Sequence, residues 1–449
     1  MSEFHFIGIG GVGMSALARL LLAQNKKVSG SDLVWNQLTE TLVQEGANVF
    51  RGHTHHQISR DATVIYSTEI PEEHPERKEA ALLGCPLWHR SELLVHLMQP
   101  FRSFAVAGTH GKTTTSALMA YLLSVAGVNP TFAVGGVVPQ LQGNAKFGTG
   151  EFFLFEADES DGSFLRYHPE GAIVTNVDRD HLPHYSNDFN RVKTAFWQFT
   201  RQVKNPELLV WCGEDPILRE MQLGGISYGF QAGVDWQIVE FTPKGFGCSF
   251  DLIGREGKIS GLELLLTGQH NALNATAAFA LGWALGLSEE TLRNGLASFQ
   301  GVLRRCEQKG AWKGALFLDD YAHHPQEIVA TLSGIRQAIG TRRCIVCFQP
   351  HRYTRTRDCW NDFGKAFDSA DRVILTDIYA AGEVPLEGIS AESLVKEVKS
   401  QAGVPWEYWP RSALSRALLE IVQPEDVVVT MGAGDITGVA KETLHLLYG

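Results

Sequence analysis

Short apolar runs alternate with helix-length segments along almost the whole chain. The runs FHFI near the start, SFAVA after residue 102 and CIVCF after residue 343 have the length and composition of buried strands. Such alternation predicts α/β domains with largely parallel sheets. No internal repeat and no low-complexity segment interrupts the pattern.

Three stretches of the chain differ in content, and we predict domains at residues 1–100, 101–302 and 303–449. The first opens with a strand at 4–7, a glycine-rich turn and a helix at 14–24. The second has two apolar strands that end in acidic residues, FFLFEADESD and AIVTNVDRDH, and a late helical stretch, HNALNATAAFALGWALG. The third alternates strand and helix, with helices at 325–339 and near 358–367, and resembles a small doubly wound domain.

Length, charge and cysteine usage narrow the class of protein. At 449 residues the chain is too long for one core, and a formal net charge of -11 argues against a nucleic-acid-binding surface. No apolar run reaches the roughly 18 residues of a membrane span, and the start, MSEFHFIGIGG, has no signal-like pattern. Seven scattered cysteines indicate reduced thiols of a cytoplasmic protein. Cys344 and Cys347 form a CxxC, which we interpret as part of a buried strand and not as a metal site.

A first glycine loop follows the first strand. Gly8, Gly10 and Gly13 form G-x-G-x-x-G before a helix, where backbone N–H groups can hold a phosphate. Asp32 ends the next strand-like segment, where a ribose hydroxyl is often bound. NAD binding is one interpretation and a turn without a ligand is another. A second phosphate loop already begins at Gly108, which leaves room for half of a dinucleotide fold, so a uridine diphosphate fits better.

A second glycine loop lies between the strand SFAVA and a helix. Its backbone N–H groups are expected to cradle phosphates, with Lys112 reaching the β- and γ-phosphates and Thr113 binding Mg²⁺. Val106 stands where the general P-loop pattern has glycine, so the loop is a variant. The predicted nucleotide-binding residues here are Gly108, Thr109, His110, Gly111, Lys112, Thr113 and Thr114.

Acidic residues crowd the ends of the two strands that follow. Glu156 comes directly after FFLF, with Asp158, Glu159 and Asp161 behind it. Neighbouring carboxylates repel unless cations compensate, which favours a metal site over a solvated acidic loop for Glu156 and leaves both open for the others. His181 ends the next strand and can face the same phosphates.

At GTHGKTTT the chain resembles the Mur ligase family, and the resemblance extends over essentially the whole sequence. The segments that carry it occur in the family's order: GIGGVGMSALA, SGSD, AGTHGKTTT, FEADESDGSF, TNVDRDH, GQHNALNATAA, DDYAHHPQEI, FQPHRYTRTRD and IYAAGE. The resemblance implies an N-terminal Rossmann-like domain, a central P-loop ATPase domain with a mostly parallel sheet and a C-terminal Rossmann-like domain.

The resemblance also implies an activity. It is the ATP-dependent joining of L-alanine to the carboxylate of UDP-N-acetylmuramate through an acyl phosphate, a cytoplasmic step of peptidoglycan synthesis. Two Mg²⁺ ions are expected, with Mn²⁺ as a substitute, in a monomer or weak homodimer that binds neither nucleic acid nor membrane. Three alternative interpretations stay open. They are a ligase that attaches a preformed peptide during cell-wall recycling, an NAD-dependent oxidoreductase with an accessory ATPase domain, and a nucleotide-gated binding module.

Residue roles follow from the same resemblance. Lys112 is expected to contact the ATP phosphates, Thr113 and Glu156 one Mg²⁺, and His181 the second. The remaining assignments are Gly10, Gly11, Gly13 and Asp32 to the UDP substrate; His270, Asn271 and Asn274 to the adenine; Arg304 and Asp320 to the nucleotide after domain closure; and Tyr321, His323, His351, Arg352 and Arg355 to alanine and the reacting carboxylate.

Two histidines and two arginines receive a chemical hypothesis. His323 or His351 can take the proton of the alanine amine, since histidine titrates in the right range; the alternative is that both only shape the pocket. Arg352 and Arg355 can clamp the alanine carboxylate.

Some features of the chain depart from the family's usual pattern. His110 stands where asparagine is common, and the STEI stretch at 67–70 replaces a serine- and alanine-rich form. Several members carry a carbamylated lysine on the helix after the DH motif, but the register of Lys193 does not clearly match, so we do not assign it that role.

Overall fold

A computed structural model describes residues 3–399 and 403–449. Three sheets follow one another along the chain, between residues 3 and 89, 102 and 264, and 307 and 431. The predicted three-part α/β fold with mostly parallel sheets is confirmed. The domain boundaries at residues 100 and 302 stay a prediction.

The first sheet is entirely parallel and has the strand order β3-β2-β1-β4-β5. The order reverses at β1, and the turn after β1 is the first glycine loop. In such sheets ligands bind beyond the carboxyl ends of the strands at the reversal point. Its strands are β1 Glu3–Ile7, β2 Lys27–Asp32, β3 Asn48–Arg51, β4 Ala62–Tyr66 and β5 Leu87–His89, and its helices are α1 Val12–Ala23, α2 Gln37–Gln44, α3 Pro75–Leu83 and α4 Arg90–Met98.

The second sheet has ten strands in the order β15-β14-β13-β12-β11-β10-β6-β9-β7-β8. Its strands are β6 Arg102–Ala107, β7 Thr131–Val138, β8 Gly143–Lys146, β9 Phe152–Glu156, β10 Gly171–Val174, β11 Leu209–Cys212, β12 Ile226–Gly229, β13 Trp236–Lys244, β14 Gly247–Gly254 and β15 Gly257–Leu264. Its helices are α5 Lys112–Val125, α6 Phe189–Arg201, α7 Pro216–Glu220, α8 Gln269–Ala284 and α9 Glu289–Ser298. β6 pairs in parallel with β9 and β10, so the P-loop after β6 and the acidic segments after its two neighbours meet at one edge.

The third sheet has the order β16-β17-β21-β18-β19-β20, and only β16 is antiparallel to its neighbour. Its strands are β16 Glu307–Trp312, β17 Ala315–Asp320, β18 Cys344–Phe348, β19 Arg372–Leu375, β20 Trp406–Tyr408 and β21 Val427–Met431. Its helices are α10 Pro325–Ile339, α11 Tyr353–Asp358, α12 Phe363–Ala366, α13 Ala391–Val398, α14 Arg411–Ile421 and α15 Thr437–Tyr448. Short 3₁₀ turns occur at His55–Gln57, Pro139–Leu141, Ser163–Arg166, Leu182–Tyr185 and Pro206–Leu208.

The strand β18 confirms the interpretation of the CxxC. Cys344 and Cys347 are both buried, but they pack into clusters on opposite faces of the sheet. Neighbouring side chains on a strand alternate between faces, so residues three apart point away from each other. The two thiols therefore do not form a common metal site.

One predicted helix of the third stretch is wrong. The segment near 358–367 forms α11 and α12, separated by residues 359–362. Trp360, Asn361 and Asp362 are poor helix formers, and asparagine and aspartate favour turns and caps over helix interiors. The first helix also begins at Val12, two residues before the predicted start.

The chain divides into two compact units. One runs to Val239 and adds Asp251–Leu262 and Leu273–Gln300; the other comprises Glu240–Phe250, Glu263–Ala272 and Gly301–Gly449. In the first unit, α1 packs against β7 and β8. The Asn144 side-chain amide donates to the backbone oxygen of Val12 at 2.8 Å and to the Ser15 hydroxyl at 3.1 Å, so the first glycine loop is fixed to the second sheet.

Among the residues that the structure describes, no helix is both long enough and apolar enough to cross a bilayer.

Candidate active site

The P-loop joins the end of β6 to the start of α5. Gly108 has φ 130° and Gly111 has φ 82°, a region that favours glycine. A Cβ at Gly108 would lie 2.0 Å from the Thr175 hydroxyl, and one at Gly111 would lie 2.6 Å from an Asn274 oxygen. Both positions therefore require glycine, and the cradle that results, at the N-terminus of a helix, fits a phosphate group.

The end of β10 holds this loop in place. His110 donates its backbone N–H to the Asn176 side-chain oxygen at 2.8 Å, and the Asn176 amide donates back to the His110 carbonyl at 3.0 Å. The Thr175 hydroxyl donates to the same carbonyl at 2.6 Å. His110 also contacts Asp178 through Nε2 at 3.2 Å. Sequence reasoning did not single out Asn176, although it lies in the TNVDRDH segment.

Lys112 is tied to Glu159. Its ammonium donates to the Glu159 carboxylate at 2.8 Å and to the carbonyl of Gly108 at 2.6 Å. Burial opposes the charge on Lys112, but Glu159, Asp158 and Glu156 together raise the pKa of Lys112 above its usual value. Burial also raises the pKa of Glu159 to about 7, although Lys112 pulls it down. Glu159 is thus the internal counter-ion of the phosphate-binding lysine.

Thr113 and Glu156 lie side by side, as a shared metal would require. The Thr113 hydroxyl donates to Glu156 at 3.2 Å, and the backbone N–H of Gly135 orients the other carboxylate oxygen at 2.9 Å. A hydroxyl next to a carboxylate is a donor set that Mg²⁺ accepts. His181 follows β10 with φ 55° and approaches Asp180 at 3.5 Å. Its part in holding a second ion stays a prediction.

Arg90 links the acidic segment to the first glycine loop, and sequence reasoning missed it. Its guanidinium donates to Asp158 at 3.0 Å and to Asp161 at 3.1 Å. Burial opposes these charges, but Arg90 helps to hold the pKa of both carboxyls below the usual range. A Cβ on Gly13 would lie 3.8 Å from the same guanidinium. Thr68 also donates to Asp161, at 2.7 Å, so the atypical STEI stretch contributes to this junction.

Asp32 shapes the first glycine loop from within. One carboxylate oxygen accepts from the Gly10 N–H at 2.8 Å and the other from the Val34 N–H at 2.9 Å. The Asn36 amide donates to the Gly10 carbonyl at 3.1 Å. A Cβ on Gly10 would lie 2.8 Å from Thr39. The loop is therefore rigid and close to its neighbours, and both oxygens of Asp32 are engaged by the backbone.

In the second unit, three predicted residues form a row of rings. The centroids of Tyr321 and His323 are 5.4 Å apart, and those of His323 and His351 are 5.7 Å apart. His351 stacks on Tyr379 with an interplanar angle of 11°, and Arg355 lies 3.4 Å from its Nδ1. Burial, aided by the nearby His323 and Arg355, lowers the pKa of His351 to about 3. His351 is therefore a neutral imidazole at physiological pH.

Arg352 immediately precedes α11 and has a strained backbone conformation, with φ 66°. Its backbone N–H donates to the Tyr379 carbonyl at 2.8 Å. Glu383 accepts from the Thr354 backbone at 3.0 Å and from its hydroxyl at 2.6 Å. The IYAAGE segment thus supports the start of the arginine-bearing helix, a role that sequence reasoning did not give to Tyr379 or Glu383.

Arg304 is bound within its own unit. Its guanidinium donates to the Gly432 carbonyl at 2.6 Å and approaches the buried Asp319 at 3.4 Å. Arg304 and the next residue, Arg305, both lie over the Tyr321 ring, at 4.9 Å and 5.2 Å. Burial raises the pKa of Asp320 to about 6, against a lowering contribution from Arg305. The parts of Arg304 and Asp320 in holding a nucleotide stay predictions.

The three residues predicted near the adenine start helix α8. Burial, with Arg305 nearby, lowers the pKa of His270 to about 4. Asn271 donates its amide to the Thr267 carbonyl at 2.8 Å. Asn274 contacts the P-loop at Gly111. Lys193 lies on α6, and its ammonium is 3.7 Å from the Glu220 carboxylate. We assign Lys193 no role.

Comparisons with known proteins match this architecture. Residues 3–102 match the Mur ligase family, catalytic domain, 106–282 the Mur ligase middle domain, and 304–434 the Mur ligase, glutamate ligase domain. A UDP-N-acetylmuramate–L-alanine ligase of Protochlamydia amoebophila is 51% identical over 445 residues, which cover 99% of this chain and 98% of that protein. The chain belongs to the Mur ligase family. The enzyme of the same name from Anaeromyxobacter dehalogenans is 41% identical to this Mur ligase over 450 residues, covering 99% of this chain and 98% of that one.

Solved structures extend the similarity. The UDP-N-acetylmuramate–alanine ligase of Thermotoga maritima superposes on this Mur ligase with a TM-score of 0.88 at 28% identity, over 99% of each chain. A murein peptide ligase of Psychrobacter arcticus gives a TM-score of 0.75 at 22% identity, over 100% of this chain and 99% of that one, which shows a shared fold alone.

Proposed function

We propose that this Mur ligase joins L-alanine to the lactyl carboxylate of UDP-N-acetylmuramate at the expense of ATP, in peptidoglycan synthesis. The observation that carries the proposal is the pairing of a P-loop with a buried lysine and an adjacent hydroxyl–carboxylate pair in one unit. The 51% identical relative of the same activity supports it over the whole chain. Oxidoreduction is set aside, because the family is one of ligases.

The first unit supplies the charge that phosphoryl transfer needs. Lys112 and the backbone of Gly108 and Gly111 would hold the ATP phosphates. Thr113 and Glu156 would hold Mg²⁺, and His181 a second ion, with Mn²⁺ as a substitute. Bound divalent ions neutralise charge on the phosphoryl oxygens. Because Lys112 is paired with Glu159, it must exchange that carboxylate for phosphate oxygens when ATP binds.

The second unit supplies the amine step. Arg352 and Arg355 would bind the alanine carboxylate, for which the guanidinium fork is suited. The amine must lose a proton before it attacks, and we assign that proton to His323. His351, whose pKa is lowered to about 3, is too weak a base and instead orders the ring row with Tyr379.

The enzyme is proposed to act in the cytoplasm as a monomer or weak homodimer. All seven cysteines are free thiols, as expected of a reducing compartment. Sedimentation across a concentration series would give the oligomeric state.

ADP release with UDP-N-acetylmuramate, ATP and Mg²⁺ tests the function when each amino acid is supplied in turn. Turnover that requires L-alanine is the expected result. Turnover with the tripeptide L-alanyl-γ-D-glutamyl-diaminopimelate, but not with alanine, would identify the peptide as the acceptor. The proposed ATP-dependent chemistry would then still hold. No turnover with any acceptor would leave a nucleotide-binding module.

A further inference from the structure

The segment between β2 and α2 presents three consecutive apolar side chains to solvent. Leu33, Val34 and Trp35 are 67%, 56% and 40% exposed. A single exposed apolar residue is ordinary, but three in succession beside a candidate ligand loop suit a contact with a ligand. We call this segment, Leu33–Trp35, the apolar platform.

The apolar platform is held to the first glycine loop from both sides. Asp32 accepts from the backbone N–H groups of Gly10 and Val34 at 2.8 and 2.9 Å. Asn36 donates to the Gly10 carbonyl at 3.1 Å, and its side-chain oxygen caps α2. Because the backbone of the segment is held in this way, binding a ligand there costs little backbone entropy.

The strand order locates the ligand. In a parallel sheet with order β3-β2-β1-β4-β5, the phosphates lie at the glycine loop after the first strand and the nucleoside extends across the end of the second. The apolar platform begins directly after that second strand. A nucleotide bound in this way would have its base near the segment that carries Trp35.

The usual partner of the nucleoside is here shared with the backbone. An acidic residue at the end of the second strand ordinarily binds the ribose hydroxyls. Here both carboxylate oxygens of Asp32 already accept backbone N–H groups. Each oxygen keeps a second lone pair for a ribose hydroxyl, and a neighbouring indole would add a flat surface for the base.

We propose that Trp35 binds the uracil of the UDP substrate by stacking, and so anchors the nucleotide end of the substrate. This rests on the proposed function, because the substrate is there a UDP-sugar. Stacking uses the flat face of a base and does not contact the groups on its edge. Trp35 would therefore contribute affinity but would not discriminate among bases.

Binding of UDP and of inorganic pyrophosphate, measured by calorimetry on the full-length protein, tests the proposal. Replacing a stacked aromatic residue by alanine typically weakens binding by about tenfold or more, equivalent to ~1.4 kcal/mol. Trp35→Ala is expected to weaken UDP by that factor and leave pyrophosphate unchanged, and Trp35→Phe to restore most of the affinity. Trp197, on α6, is exposed to a similar 43%, so Trp197→Ala is the matched control and should bind UDP normally.

A second readout uses the fluorescence of Trp35 itself. UDP should quench the wild type more than Trp35→Phe, whose other tryptophans are the same. If Trp35→Ala binds UDP as tightly as the wild type, and the wild type ligates alanine, the stacking proposal is overturned and the proposed function is kept. Equal weakening of UDP and pyrophosphate would also overturn it, since that indicates a disturbed phosphate loop. Wild type that binds UDP through Trp35 but does not ligate alanine would instead overturn the proposed function.

Discussion

At the scale of single residues, the two histidines of the ring row have different chemistry. A free α-amine has a pKa near ~8, and moving its proton to His351, whose pKa is about 3, is uphill by ~7 kcal/mol. We therefore expect His323→Gln to lower alanine-dependent kcat by at least ~100-fold. His351→Gln should lose less and keep the pH profile of the wild type. Steady-state kinetics between pH 6 and 9 provide the check, and equal losses in both variants would contradict the assignment.

The buried pair of Lys112 and Glu159 makes a second prediction at this scale. Removing one partner of a buried ion pair typically costs ~3–5 kcal/mol, because the other charge is left without compensation. Lys112→Met should therefore lower the free energy of unfolding by roughly that amount and abolish ATP turnover.

The double variant Lys112→Met, Glu159→Gln is the control, since it removes both charges. It should recover most of the stability but none of the activity, as measured by urea denaturation and ADP release. A double variant no more stable than Lys112→Met would show that the pair does not set stability.

Residues in contiguous motifs could be predicted from the sequence, and residues that act across the chain could not. Lys112, Thr113 and Gly111 belong to one loop whose spacing carries its chemistry. Arg90 meets Asp158 across 68 positions, and Glu383 meets Thr354 across 29. Nothing in the local pattern of HRSE or AAGE indicates those partners. Arg304 and Arg305 are adjacent, and only burial and packing decide which guanidinium is already bound.

At the scale of elements, the position of the first glycine loop depends on Gly30, which lies inside β2. A Cβ at Gly30 would lie 2.7 Å from the Phe6 carbonyl and 2.7 Å from Ile9. Gly30→Ala is thus expected to displace the loop, lower the free energy of unfolding by ~1–3 kcal/mol and weaken UDP more than tenfold. Affinity for an ATP analogue should be kept, because the P-loop belongs to another sheet. Calorimetry with both ligands separates the two effects.

Gly224→Ala is the matched control, since a Cβ there has no neighbour within 4 Å. Its binding and stability should equal those of the wild type. Equal loss of UDP and ATP affinity in Gly30→Ala would mean general unfolding and not a displaced loop.

Element types were predictable where periodicity and loop chemistry agreed, as for β6, the P-loop and α5. The break between α11 and α12 was not, because its cause is a few weak helix formers in a segment whose apolar spacing is helical. The positive φ of Arg352 is likewise invisible in sequence, since its backbone N–H is bonded to Tyr379, a residue distant along the chain.

At the scale of the whole molecule, the proposed reaction uses residues of both compact units. Lys112 belongs to the first unit and Arg352 to the second. The phosphate and the amine must meet at one carboxylate, so we expect UDP-N-acetylmuramate and a non-hydrolysable ATP analogue together to reduce the radius of gyration. Small-angle scattering with each ligand alone is the control. A profile unchanged by both ligands would contradict closure.

The interleaving of the two units has a consequence for the gene. Glu240–Phe250 and Glu263–Ala272 belong to the same unit as Gly301–Gly449, although Leu273–Gln300 separates them along the chain. A single recombination event near codon 300 would join the last third of one parental gene to two short stretches from another. Such a hybrid would build the second compact unit from segments of two parental proteins. A junction near codon 239 would instead keep all three stretches from one parent.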